Sequence, residues 1–320
     1  MVSSNLLVLI SVIDYNIKNI CKVGVIMKIK TKEKVAGWLL ASPWILGFLF
    51  FTAGPMLYSL FLSFTNYDLF NRPEWIGFAN YNRIFTGDYL VPQALKVTFI
   101  FTLTSVPLNL ILGLLIALLL NQKIKMLSFF RTVYYLPSVI PYIATLFMWM
   151  LVFNPAFGLF NSVLKLVNIN GPNWLGDPDW ALPSLVIISL WGVGRSMLVY
   201  LAGLQGVPTE LYESAKIDGA NAWQSFWKIT IPMISPVIFF NLIMGIITSL
   251  QAFNTAYIMT QGGPVNSTYF FMLHIFYNAF EDYNMGYSSA LAWILFIITF
   301  VFTLIVFKSV GSKIYYGEEG

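Results

Sequence analysis

Long apolar runs alternate with short polar ones along this chain. Six stretches are apolar over about 20 residues, roughly what a helix needs to cross a hydrocarbon core of about 30 Å. They fall near 38–64, 97–120, 133–153, 182–204, 236–259 and 287–307. In lipid each spanning segment must satisfy its own backbone groups, so the pattern predicts helices rather than open strands. The fold class expected is therefore an all-α integral membrane protein with six transmembrane helices.

Composition agrees. Of 320 residues, 58% are hydrophobic and only 10% are charged, against about 25% charged in soluble domains. A net charge of +4 is thus no nucleic-acid footprint, and its distribution is what informs. The N-terminal segment, the second and fourth connections and the C-terminal end carry thirteen Lys and Arg; the three opposite connections carry four, with Arg195 left inside a span. The positive-inside rule then places both termini in the cytoplasm. The outer connections at 65–92 and 168–180 are rich in aromatics, Asn, Gly and Pro, which is turn chemistry with interfacial rings.

Residues 1–26 contain an apolar run too short to span. Met27 is followed at once by alternating lysines and the first span. We read 1–26 as over-extended or disordered and 27–320 as a single six-helix transmembrane domain. Single residues Cys21 and His274 exclude an internal disulfide and argue against a metal site; His274 reads as a helix-end or loop residue. Pro43, Pro55, Pro107, Pro137 and Pro141 read as kinks in spans, since neighbouring helices can satisfy the backbone groups they free.

The segment "ELYESAKIDGANAWQSFWKITIP" interrupts the greasy second half, within a polar loop at about 207–232. Val207-Pro208 stops the preceding span, and Thr209 can cap a short helix through Ile217 with Glu210 in its first turn. Asp218-Gly219 breaks that helix, and Asn221 with Gln224 fits a capping box for a second one ending near Pro232. The result is a cytoplasmic helix–turn–helix. Small residues Ser214, Ala215, Gly219 and Ala220 allow close approach, and Glu213, Lys216 and Asp218 ring it with charge, as a docking knob requires. An amphipathic hairpin lying on lipid would want more Lys and Arg.

This pattern resembles the coupling loop of ABC importer permeases: Glu-Ala-Ala, three residues, Gly, nine residues, Ile-x-Leu-Pro. Here it reads Glu213-Ser214-Ala215, Gly219 and Ile229-Thr230-Ile231-Pro232 with every spacing kept. Segments such as "FFRTVYYLP", "LAGLQGVP" and "MTQGGPVNST" extend the likeness to the carbohydrate-uptake branch, similar to the maltose and glycerol-3-phosphate importer permeases. The resemblance implies a type I importer permease fold in a bacterial inner membrane. It implies a second homologous permease, two ATPase subunits and an extracytoplasmic substrate-binding protein as partners. ATP and Mg would then sit on the ATPase, with no cofactor in this chain and no catalysis by it. The ATPase-coupling residues implied are Glu213, Ser214, Ala215, Asp218 and Gly219.

Absences agree. No G-x-x-x-x-G-K-[ST] phosphate cradle occurs, so the sequence has no such ATPase motif of its own. All fourteen acids lie outside the spans as drawn, which speaks against an ion-coupled secondary carrier, since such carriers bury acids to bind ions. The same architecture importing a non-sugar solute is the nearer alternative. Arg195, deep in the fourth span, costs about 2.5–3.5 kcal/mol unless it faces protein or water. It reads either as a contact to an anionic group on the substrate or as an inter-subunit contact. Gln251 and Asn254, three apart, are expected to share a helix face beside Phe253. The resemblance places this segment at the sugar site, where amides bind hydroxyls and the ring stacks. Helix–helix bonding is the alternative.

Overall fold

The computed structural model describes residues 33–122 and 125–311. The readings placed on residues 1–26, on a start at Met27 and on the end of the chain lie outside them. Contacts divide the chain into two units, 1–61 and 62–320.

In the first unit, α1 (Glu33–Leu62) is an unbroken apolar helix. Pro55 lacks a backbone N–H, and a π stretch, Leu49–Ala53, immediately precedes it. There the Gly54 N–H reaches back five residues to the Leu49 carbonyl, a widened register that absorbs the proline without a break. Only 6% of the most apolar window of α1 is buried.

The second unit opens with a small antiparallel hairpin, β1 (Thr65–Asn66) against β2 (Glu74–Trp75), with Thr65 opposite Trp75. The Asp68 carboxylate holds its turn by accepting from the Phe70 and Asn71 N–H groups. Helices α2 (Leu90–Leu120) and α13 (Met285–Gly311) are unbroken spans. The other three spans are bent pairs: α3 (Leu127–Ser138) with α4 (Tyr142–Val152) at 95°, α6 (Pro178–Trp191) with α7 (Gly194–Gln205) at 46°, and α9 (Ala222–Met233) with α10 (Ser235–Leu250) at 64°. By length and apolarity the described residues thus supply up to six spans. Shorter helices fill the connections: α5 (Leu159–Leu166), α8 (Thr209–Ile217), α11 (Asn254–Met259) and α12 (Phe271–Phe276).

The other proline expectations divide. Pro137 and Pro141 sit at the sharpest bend, Pro141 with extended ψ at the start of α4. Pro107 lies inside α2, which continues past it.

Helix α2 lies against α6, α7 and α10. One core cluster gathers Phe101, Leu146, Leu185, Phe270 and Leu291; a second gathers Ala117, Met197, Tyr200, Leu204 and Ile234. Because lipid tails are as apolar as leucine, these contacts are selected by close packing rather than by escape from water.

Candidate functional site

The coupling segment is built from local signals. Pro208, with ψ 131°, ends the extended approach, so Thr209 is already the first helical residue of α8 and makes no capping bond. This corrects the expectation that Thr209 caps. Glu210 lies in the first turn and Lys216 in the last, both favourable to the helix dipole. Beyond the C-cap Asp218, Gly219 takes φ +78°. Its N–H bonds the Lys216 carbonyl at 3.2 Å, and the Ala220 N–H bonds the Ala215 carbonyl at 2.9 Å. That pair of bonds is a Schellman termination, which needs a left-handed residue where glycine stands. The capping box then forms in full: Asn221 Oδ1 accepts from the Gln224 N–H and Gln224 Oε1 from the Asn221 N–H, each at 2.9 Å.

Glu213, Ser214, Asp218 and Gly219 are exposed and Ala215 is half-buried, so the segment presents its charges outward. On the inner side the Tyr212 and Thr230 hydroxyls are 2.9 Å apart, joining α8 to α9. Thr230 ends a π stretch, Phe226–Thr230, and Ile234, fully buried, marks the bend into α10.

Arg195 lies at the break of the fourth span, second residue of α7. The break follows Gly192 and Val193, so the arginine enters at a helix start rather than from mid-helix. The side chain is exposed, and its Nη2 donates to the Ser138 carbonyl at 3.4 Å. Ser138 closes the last turn before the 95° bend. A Cβ on Gly194 would strike the Tyr134 carbonyl oxygen, so only glycine lets α7 come this close to α3. The interrupted ends of two spans therefore meet at Gly194 and Arg195. Among the described residues no carboxylate lies within ion-pair distance of Arg195.

The fifth span departs from expectation. Helix α10 stops at Leu250, Gln251 caps it, and Phe253, with φ −136° and ψ −61°, precedes α11. Gln251 and Asn254 therefore flank a break and share no helix face; a non-helical Phe253 ends the 3.6-residue period on which that expectation rested. Gln251 lines a cavity of about 540 Å³ with Ile275, Leu295, Phe296 and Phe300. The Phe253 ring stacks on Tyr257 at 5.1 Å and leans on Phe276 at 4.9 Å.

One polar cluster escaped the sequence reading. His274, in the last turn of α12, is buried. Its Nε2 lies 3.0 Å from Asp88 Oδ2, and Tyr287 donates to the same oxygen at 2.7 Å. Asp88 Oδ1 accepts from the Leu90 N–H. A carboxylate only accepts, so Nε2 carries the proton and Nδ1 accepts from the Tyr269 hydroxyl at 3.1 Å. Arg83 lies 4.1 Å over the Tyr287 ring. Burial pushes His274 below its ordinary pKa, and the Asp88 charge and hydrogen bond offset this only in part. Burial works to raise Asp88, but donation from Tyr287, Leu90 and His274, with the imidazole's own attraction, holds it below the carboxylate norm. Partners 186 and 199 positions apart leave no local motif to find.

With the bent spans and exposed helix–turn–helix in place, comparison with known proteins decides the family. Residues 109–310 match the model described as "Binding-protein-dependent transport system inner membrane component". The chain belongs to that family. Its relatives are transport system permeases, some of them named for sugars. "Probable ABC transporter permease protein YesP" of Bacillus subtilis is 44% identical over 90% of this chain and 94% of its own length. "Trehalose/maltose transport system permease protein MalF" of Thermococcus litoralis is 34% identical over 88% of this chain and 95% of its own. The fold is that of a solved bacterial ABC transporter involved in the import of the acidic polysaccharide alginate, with TM-score 0.76 and 24% identity over 88% of this chain and 98% of that one. The family match takes in all three broken spans, the coupling segment and His274, but begins after Asp88. As a permease of this family, the chain is an inner membrane component.

Proposed function

We propose that this permease carries a sugar, an oligosaccharide in particular, across the bacterial cytoplasmic membrane by alternating access, with both termini cytoplasmic. ATP is hydrolysed on two partner ATPases, a second homologous permease completes the pathway, and a binding protein delivers the sugar from outside. The observation that carries this reading is the exposed helix–turn–helix between the fourth and fifth spans, rigidified by a Schellman turn and a complete capping box. Glu213, Ser214, Ala215, Asp218 and Gly219 form the surface on which an ATPase docks. The named sugars of relatives such as the trehalose/maltose permease support the substrate class.

Arg195 faces the pathway and meets an anionic group on the substrate. Its exposure, its place where two span breaks meet and its lack of a carboxylate partner support that role. Gln251, Phe253 and Asn254 serve the neutral part of the sugar, as amide donors and a stacking ring across an irregular backbone rather than on one helix face.

The test is co-purification of tagged chain from mild-detergent membranes, with Glu213→Ala and Gly219→Pro alongside. An ATPase and a second permease should come with the unmodified chain, and the ATPase should be lost or weakened in both variants. A folded chain recovered alone in every sample would end the importer reading. For Arg195→Gln, uptake of a uronic-acid trisaccharide should fall while maltotriose uptake holds; unchanged uptake of both would remove the anion role.

A further inference from the structure

The rings of Trp223, Phe226 and Trp227 form one cluster on α9, with centroids 5.1–6.1 Å apart. Trp223 and Trp227 are 69% and 52% exposed, and at four-residue spacing they share one side of the helix. Ile229 and Tyr212 pack with the inner core cluster, and Thr230 is buried. Gln224 and Lys228, each one position further on, are exposed. Helix α9 thus has a core side, a polar side and a band of rings between them.

With α10 taken along the membrane normal and its Ser235 end at the hydrocarbon edge, the 64° bend between α9 and α10 sets the depth of the rings. Trp227 precedes the start of α10 by eight residues, about 12 Å of helix at about 1.5 Å per residue. Inclined by 64°, that length descends only about 5 Å. Trp223 lies about 18 Å back, hence about 8 Å out from the hydrocarbon edge, at the outer boundary of the headgroups. The headgroup layer on each side of a bilayer is about 5–7 Å thick. Helix α10, with 16 residues, is about 24 Å long, most of a core of about 30 Å.

We propose that Trp223 and Trp227 sit in the headgroup layer of the membrane, so that α9 is a lipid-interface anchor as well as half of the coupling element. A phospholipid surface is the partner whose chemistry fits. The indole body is apolar, its N–H donates to headgroup oxygens, and interfacial layers enrich tryptophan for that reason. Lys228 adds a cation beside the rings, matched to lipid phosphate. The shortage of basic residues argues against a hairpin held on lipid by charge along both helices; in α9 the rings rather than the charges hold the membrane.

The test uses the full chain in nanodiscs of phosphatidylcholine brominated near the glycerol end or near the methyl end of the acyl chain, with plain phosphatidylcholine as reference. Subtracting the emission of a Trp223→Tyr/Trp227→Tyr double variant isolates the two rings. The difference emission should fall roughly twofold in glycerol-end bromolipid and less in methyl-end bromolipid, and should stay quenched when the co-purifying ATPase is bound. Equal difference emission in all three lipids would overturn the anchor. Quenching that disappears on ATPase binding would also overturn it, assigning the rings to the ATPase. Should the double variant not fold, the single Trp223→Phe and Trp227→Phe variants supply the same subtraction.

Discussion

Tyr287 and Asp88 are joined by a 2.7 Å hydrogen bond across 199 positions of sequence, tying the start of the last span to the start of the second. The same carboxylate oxygen takes the His274 imidazole at 3.0 Å, so three segments converge on one acid. Tyr287→Phe keeps the ring under Arg83 and removes only the donor. Loss of a hydrogen bond to a charged acceptor costs about 1.5–3 kcal/mol, so detergent-solubilised Tyr287→Phe should melt several degrees lower. An unchanged Tm would mean the bond contributes nothing net.

Stability should fall in acid, and His274 should set where the fall begins. The folded state holds His274 below its ordinary 6.5, so the unfolded chain binds the extra proton and stability rises with pH through this range. The contribution is complete above 6.5 and is lost as pH falls through the folded value. Asp88, held below 3.8, adds a second loss at lower pH with the same sign. Melting curves from pH 8 downward should therefore decline beginning near 6.5, and His274→Gln should flatten that first decline. A steeper decline in the variant would contradict the assignment.

At Gly219 nothing lies within 4 Å of where a Cβ would stand, while φ is +78°. The cost of a side chain there is conformational rather than steric. Gly219→Ala should lose about 1 kcal/mol locally, while Gly219→Asn, which tolerates the left-handed region, should lose less. Measured as ATPase affinity of the purified permease, the order should be glycine, then asparagine, then alanine; alanine equal to glycine would show that the turn is not needed for docking.

Gly194 is the opposite case, because its Cβ would meet the Tyr134 carbonyl. Backbone cannot retreat as a flexible side chain can, so Gly194→Ala must push α7 from α3. Overpacking of this kind costs about 1–3 kcal/mol. The Arg195–Ser138 bond should lengthen with it, and substrate-stimulated ATP hydrolysis should drop while subunit assembly persists. Full stimulation in Gly194→Ala would mean the two span breaks need not touch.

Legibility in the sequence followed how local each cause was. The extent of α8, its glycine stop and the Asn221–Gln224 capping box all depend on neighbours within four positions, and all three stand where the residue pattern placed them. Arg195 was visible as a charge in a greasy run, and it marks a real interruption. The break after Leu250 had no such sign: no glycine or proline stands between Leu250 and Asn254, and a ring stack on Phe276 from a later segment accompanies it. The Asp88 cluster was invisible for the same reason carried further, since residues nearly 200 positions apart share no period. Thr209 lost its capping role to the adjacent proline, whose ψ already turns the chain.

The Tyr212–Thr230 bond joins α8 to α9 close to the buried bend at Ile234, so under the proposed coupling a push on α8 would bear on α9 as a lever. Helix α9 is an arm of about 18 Å pivoting at Ile234, so moving its tip by about 3 Å turns it by about 10°. If α10 turns with it, the far end of that helix, about 24 Å from the pivot, sweeps about 4 Å. Under the proposed docking, a shift no larger than one side-chain contact at the coupling segment would then be returned, slightly enlarged, at the break beyond Leu250.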